Sequence, residues 1–260
     1  MRVVVPVADH KGFFGVMPAY AGALGAKLVT FYPANTDVHT HHAVIALFKP
    51  ETGEPLAIMD GRLITEMRTA AASAVATQHL ARANASILAI LGSGVQAGSH
   101  LEALRQVRRF SEVRVWSPRN AKAFAERRRV TAARSAEDAV RGADVVVVAV
   151  SSKTPVLQGQ WLSPGAHINA IGATRPDWRE LDDDLVTRAR VFVDSREAAT
   201  KESGDVIAAR EVVGEIGEVV SGKKPGRSNA TEITVFKSVG VAVEDVASAA
   251  LVYKRHAAGT

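Results

Sequence analysis

The stretch Ile87-Leu88-Ala89-Ile90-Leu91-Gly92-Ser93-Gly94-Val95-Gln96-Ala97 constrains this chain more than any other. Its apolar opening reads as a strand buried on both faces, and such strands belong to parallel sheets covered by helices. The G-x-G-x-x-A that follows allows a tight turn and a close backbone approach. The helix it opens offers free N–H groups and a positive dipole end to a pyrophosphate. Spacing alone is a weak signal, but here strand, glycines, helix and next strand follow in the required order within about thirty residues. Gly92, Ser93, Gly94, Val95 and Gln96 are therefore expected to cradle a dinucleotide.

The end of the second strand chooses between the two nicotinamide dinucleotides. NAD sites usually place an acid there to hold the ribose 2′-hydroxyl. Val113-Arg114-Val115-Trp116 ends instead in Ser117-Pro118-Arg119. No carboxylate repels a 2′-phosphate, and a guanidinium with a hydroxyl can receive it, so NADPH is expected, with NADH as the second choice. Trp116, Ser117 and Arg119, with Val150 closing a later strand, complete the expected cofactor contacts.

Helix and strand patterns alternate downstream at the spacing of βαβ units: helices over 95–107, 120–128 and 136–141, strands over 113–116, 145–150, 168–171 and 191–193. The first sixty residues differ. Short β-rich runs at 3–6, 12–17, 27–32, 43–48 and 54–59 alternate with turn signals and predict a small antiparallel sheet. An Ala-rich segment from Thr65 to Ala81 predicts a helix leading out of it, with Glu66 in its first turn. The tail predicts one more strand or loop, then a helix over 243–253 that folds back on the first sheet.

Composition narrows the function classes. Hydrophobic residues make up 47% and charged residues 23%, which excludes disorder and points to a compact globular protein. Cysteine is absent, so disulfides, thiolate metal sites and thiol nucleophiles are excluded and the cytoplasm is the expected location. The net charge of +5 suits an anionic ligand. The basic clusters Arg105/Arg108/Arg109 and Arg127/Arg128/Arg129 lack interleaved aromatics and read as solvated faces, so nucleic acid is not expected. No apolar run approaches the about 20 residues of a membrane span. His39-Thr40-His41-His42 has no carboxylate partner nearby, and in a strand only His39 and His41 would share a face, so no metal is expected.

Read together, Arg2-Val3-Val4-Val5-Pro6-Val7, Gly15-Val16-Met17-Pro18-Ala19-Tyr20, Lys27-Leu28-Val29-Thr30-Phe31-Tyr32, Met59-Asp60-Gly61 and Arg68-Thr69-Ala70-Ala71 resemble the ornithine cyclodeaminase/mu-crystallin family, most of all its ketimine reductase branch. The glycine crest, 164–172, 175–183, 201–205 and 234–238 continue the likeness over nearly the whole chain. The resemblance implies an α/β fold with a Rossmann-type parallel-sheet domain over 67–228. It also implies a smaller α+β substrate-binding and dimerisation domain from both chain ends, 1–66 and 229–260, and a homodimer. It implies that Arg2, Lys27 and Arg68 surround the carboxylate of an amino or imino acid as the catalytic set, with Thr40 nearby, and that the segment from Phe236 walls the pocket. The chemistry agrees: a small carboxylate is held well by a guanidinium fork plus a point cation, and such charges are costly to bury without an anion.

The implied reaction is NADPH-dependent reduction of a cyclic ketimine carboxylate, Δ1-pyrroline-2-carboxylate or Δ1-piperideine-2-carboxylate, to proline or pipecolate. Lys27 or an ordered water is the expected proton donor. Cyclodeaminases of the family carry a catalytic aspartate where this chain has Thr174, which removes the general base that ornithine deamination needs and makes Thr174 a substrate contact. The family's helical segment ahead of Arg2 is expected to be missing here, leaving Arg2 near a frayable end. Two other readings keep the resemblance: an amino-acid dehydrogenase or cyclodeaminase, and a non-catalytic NADPH-dependent binder of a thyroid-hormone-like ligand. His167, in an apolar strand, reads as a hydrogen-bonded core residue. Asp182-Asp183-Asp184 reads as a helix start, and 201–205 taken alone as an exposed turn.

Overall fold

The structure, a computed structural model, describes residues 2–259. In chain order it contains β1 (Val3–Val7), β2 (Gly12–Tyr20), β3 (Leu24–Phe31), β4 (His41–Phe48), β5 (Pro55–Asp60), α1 (Arg62–Leu80), β6 (Ile87–Leu91), α2 (Val95–Val107), β7 (Glu112–Trp116), α3 (Ala121–Arg128), β8 (Thr131–Ala132), α4 (Ala136–Val140), β9 (Val145–Val148), β10 (His167–Ala170), α5 (Asp183–Arg188), β11 (Arg190–Val193), α6 (Arg196–Glu202), α7 (Gly204–Ala208), β12 (Val212–Glu215), α8 (Ile216–Val220), β13 (Thr234–Lys237) and α9 (Ala242–Ala257). The chain divides into two compact units, Met1–Arg68 with Gly240–Thr260, and Thr69–Val239.

In the first unit β1 to β5 form a five-stranded antiparallel meander. Its register sets two faces of opposite character. Met17, Lys27 and Ile45 stand opposite one another on one face, with Met59 beyond Ile45. Against that face packs α9, whose Val246 and Ala249 join Ile45 and Leu47 in a core flanked by Ala250 and Tyr253. Positions 242, 246, 249 and 253 recur at helical spacing, which is why the tail folds back as expected. On the other face Val3, Val16, Leu28 and Val44 form a lateral row. Three of them are exposed, as is Ile58 beside them. The helix expected from Thr65 starts earlier, at Arg62, because Asp60 Oδ1 accepts the Arg62 amide at 2.8 Å and caps it.

In the second unit eight parallel strands run in the order β12-β11-β13-β10-β9-β6-β7-β8. The all-apolar strands β6 and β9 are buried on both faces, as their sequences require. From β6 the chain builds outward through β7 and β8, then returns to place β9 on the other flank of β6, so the switch point of this doubly wound sheet lies between β6 and β9. The expected boundary at 228/229 needs correction. Residues 229–239 belong to this unit because β13 pairs with both β10 and β11 inside the sheet, and the first unit resumes only at Gly240. Asp182 caps α5 through the Leu185 amide, as the acid run predicts. His167 is fully buried with Nδ1 3.0 Å from Thr234 Oγ1, and burial, followed by the nearby Arg227 charge, pushes its imidazole down to about 3.

Candidate active site

The first unit gathers Arg2, Lys27 and Arg68 around the first turn of α9. Lys27 projects from the buried face of β3 and its Nζ lies 2.7 Å from Asp245 Oδ2. Arg68 binds the other oxygen of that carboxylate through Nε at 2.7 Å and donates Nη1 to Glu244 Oε2 at 2.8 Å. Gly240, at φ +81, admits both guanidiniums. Its carbonyl accepts Arg2 Nη2 at 2.9 Å, and a Cβ there would stand 2.9 Å from Arg68 Nη2. Lys27 and Asp245 are 2% and 0% exposed, so this is a desolvated cluster and not a set of surface cations.

Burial pushes the Lys27 ammonium down to about 8; Arg68 adds to that and the Asp245 carboxylate opposes it. A lysine tuned this way releases a proton near neutrality, which an ordinary lysine does not. His41 begins β4 on the same face, stacked on Phe31 at 4.4 Å between centroids. Desolvation, then the charges of Lys27 and His42, push its imidazole down. Thr40 is half-buried with Oγ1 3.2 Å from His41 Nδ1, so it reaches the cluster's face through that ring. His39 lies ahead of β4, not within the strand, and its ring stands edge-on to His42 at 6.2 Å.

Asp245 and Glu244, which hold the cations in place, escape a reading of the sequence aimed at positive charge. A signal does exist: Asp245 falls on the apolar stripe of α9, where an acid needs a buried partner.

In the second unit the glycine crest has the shape that a dinucleotide needs. Gly92 sits at φ +121, where a Cβ would overlap the Ala149 carbonyl, so the turn accepts only glycine. Gly94 is the N-cap of α2 with no side-chain cap, and open space lies where its Cβ would be. The first amides of α2 are thus left for an anion. Gln96 Oε1 is buried there without a hydrogen-bond partner among the described residues. Ser93 and Ser117 hydroxyls lie 2.8 Å apart, joining the crest to the end of β7. Trp116 is half-buried, Arg119 is exposed just beyond, and Val150 follows β9 at the same sheet edge. Residues 92–96 and this edge therefore fit a dinucleotide; bound there, it would supply a hydride.

Two expectations fail in this unit. Phe236 is not a pocket wall: it is fully buried among Ala76, Leu80, Phe192 and Val219. In a parallel strand Phe236 and Lys237 point to opposite faces, and it is Lys237 that meets charge. Residues 201–205 are no exposed turn either, since Ser203, Gly204 and Asp205 are buried. Thr174 is half-buried in the loop after β10.

A doubly wound parallel sheet with an open glycine crest, in a chain that elsewhere buries paired cations on a carboxylate, defines a dinucleotide-dependent oxidoreductase class. The sequence profile of the ornithine cyclodeaminase/mu-crystallin family matches residues 1–260. The chain belongs to that family. It is 51% identical to the ketimine reductase mu-crystallin of Mus musculus over 269 residues, covering 100% of this chain and 85% of the relative. Among solved structures it is similar to the Δ1-pyrroline-2-carboxylate reductase of Thermococcus litoralis in complex with NADH and L-proline, at a TM-score of 0.93 and 39% identity, with 100% and 87% of the two chains covered. An archaeal alanine dehydrogenase dimer with bound NAD matches at a TM-score of 0.93 and 38% identity, with 100% and 86% covered.

Proposed function

We propose that this chain reduces the C=N bond of a cyclic ketimine carboxylate, Δ1-pyrroline-2-carboxylate or Δ1-piperideine-2-carboxylate, with NADPH, giving proline or pipecolate. The observation that carries the reading is the buried pair Lys27 and Arg68 sharing the Asp245 carboxylate. Two cations held this way have fixed directions, and the substrate carboxylate completes their coordination together with Arg2. Lys27, its ammonium eased to about 8, donates the proton that the ring nitrogen gains as the imine carbon accepts hydride. His41, stacked on Phe31, lines the same face, its imidazole pushed down by desolvation and then by Lys27.

NADPH is favoured over NADH by the β7 end, where Ser117 and Arg119 stand in place of an acid. Thr174 speaks against ornithine deamination, because a hydroxyl is no general base at neutral pH. Lack of cysteine suits the cytoplasm. A homodimer accounts for the row Val3, Leu28 and Val44 with Ile58, exposed apolar residues contiguous on one sheet face.

The test is a panel assay: both cyclic imino acids with NADPH and NADH, against alanine with NAD. Ketimine-dependent NADPH oxidation is expected, with Arg68→Ala lowering kcat/KM by about a thousandfold while NADPH binding is retained. Alanine oxidation without ketimine reduction would move the chain to the amino-acid dehydrogenases. Arg68→Ala at near-native turnover would remove the carboxylate clamp.

A further inference from the structure

Three segments used by neither the cation cluster nor the crest, 175–183, 201–205 and 236–238, converge in the second unit on one buried ionic cluster. Lys237 ends β13 with Nζ 2.5 Å from Glu180 Oε1 and 3.3 Å from Asp205 Oδ2. Lys237 and Glu180 are 0% exposed and Asp205 is 2% exposed. Asp205 Oδ1 accepts the amides of Glu180 and Leu181, both at 3.1 Å, and Arg179 Nε at 3.2 Å. Both oxygens of Glu180 face the Gly172 amide, at 2.9 and 3.0 Å. Gly172 is packed closely between Glu180 and Val150, since a Cβ there would overlap both the Val150 carbonyl and Glu180 Oε2.

Burying two charges is a poor route to stability, because lost hydration offsets their attraction and apolar replacements often fold as well or better. The cluster's geometry points elsewhere. Its carboxylate closes on the backbone just after β10, at the carboxyl edge of the sheet and two residues before Thr174. That edge is where doubly wound sheets bind ligands, one mononucleotide on each side of the switch point. A dinucleotide bound by that rule would put its adenosine half on the β7 side, leaving β9 and β10 for the nicotinamide half.

We infer that Glu180 and Lys237 are positioning residues, a buried ion pair that holds residues 172–174 against Val150 beneath the nicotinamide end of the cofactor site. The inference rests on the cofactor side of the proposed function and not on the identity of the imine. When Lys237 is replaced, Asp205 keeps Arg179 and two amides on Oδ1, so its charge stays paired although Oδ2 loses the cation beside it.

The test is the double variant Glu180→Leu/Lys237→Met in the full chain, followed by thermal melting, by hydrogen exchange at residues 172–174, and by titration with NADPH and with 2′-phospho-ADP-ribose, which lacks the nicotinamide. The expected result is a melting point within about 4 °C of the parent, faster exchange at Gly172, an NADPH affinity lowered about tenfold, and unchanged affinity for the fragment. If both affinities hold while exchange quickens, or if Gly172 stays protected, the inference is overturned. Should the double variant not fold, Glu180→Leu alone, which removes the Gly172 acceptor and leaves Lys237 beside Asp205, is read by the same contrast. A parent that binds NADPH but reduces no ketimine sinks the proposed reaction, and the titrations still decide the role of the pair.

Discussion

At Lys27 opposing influences nearly balance. Burial and the Arg68 charge favour the neutral amine, while Asp245 favours the ammonium by its field and by its hydrogen bond, and the group settles near 8. If Lys27 is the acid that protonates the imine, its charged form is the active one, so kcat/KM is expected to fall as pH rises through about 8. Asp245→Asn removes the influence that holds the proton on. The falling limb should then move to lower pH by about one unit, and an unmoved limb in the pH–rate profile would detach Lys27 from the chemistry. Stability carries the same signature: below its unfolded value of 10.5 the buried ammonium disfavours folding, so this group's contribution rises with pH between about 8 and 10.5. The three cations were legible through their family context. Asp245 was less so: its place on the apolar stripe of α9 calls for a buried partner, but which cations meet it is settled only once β3 and α1 bring Lys27 and Arg68 there.

Among the elements, strand β6 and helix α2 were readable outright, since apolar run, glycines and helix lie side by side in the chain and each local preference agrees with the next. Their roles separate experimentally. Gly92 is demanded by the fold, at φ +121 against Ala149, whereas Gly94 has ordinary dihedrals and open space around it. Gly94→Val should therefore leave the melting point within about 2 °C yet weaken NADPH at least about tenfold, because the added methyls occupy the approach to the α2 amides. Equal losses in folding and binding would mean that Gly94, too, is structural. By contrast β13 resisted the same reading. Four residues ending in a lysine read as a strand or a loop, and only its pairing with both β10 and β11 reveals an interior strand whose lysine meets Glu180 and Asp205.

For the protein as a whole, the meander in the first unit has one face covered by α9 and one lined by Val3, Leu28, Val44 and Ile58, all exposed. A contiguous apolar sheet face of this kind is a liability in a monomer and an asset in a symmetric pair. Leu28→Glu puts a charge at the centre of the lateral row and should shift sedimentation from dimer to monomer with little change in helix and strand content. A protein that sediments as a monomer before substitution would remove the dimer from the proposal. Periodicity and local spacing were enough to assign an α/β chain, its crest and its two kinds of sheet, because those features depend on neighbours in sequence. The joining of Arg68 and Lys27 through Asp245, of Gly172 and Lys237 through Glu180, and the burial of Phe236 depend on residues dozens to hundreds of positions apart. Side-chain direction and desolvation at those meetings are properties of packing, and no local pattern encodes them.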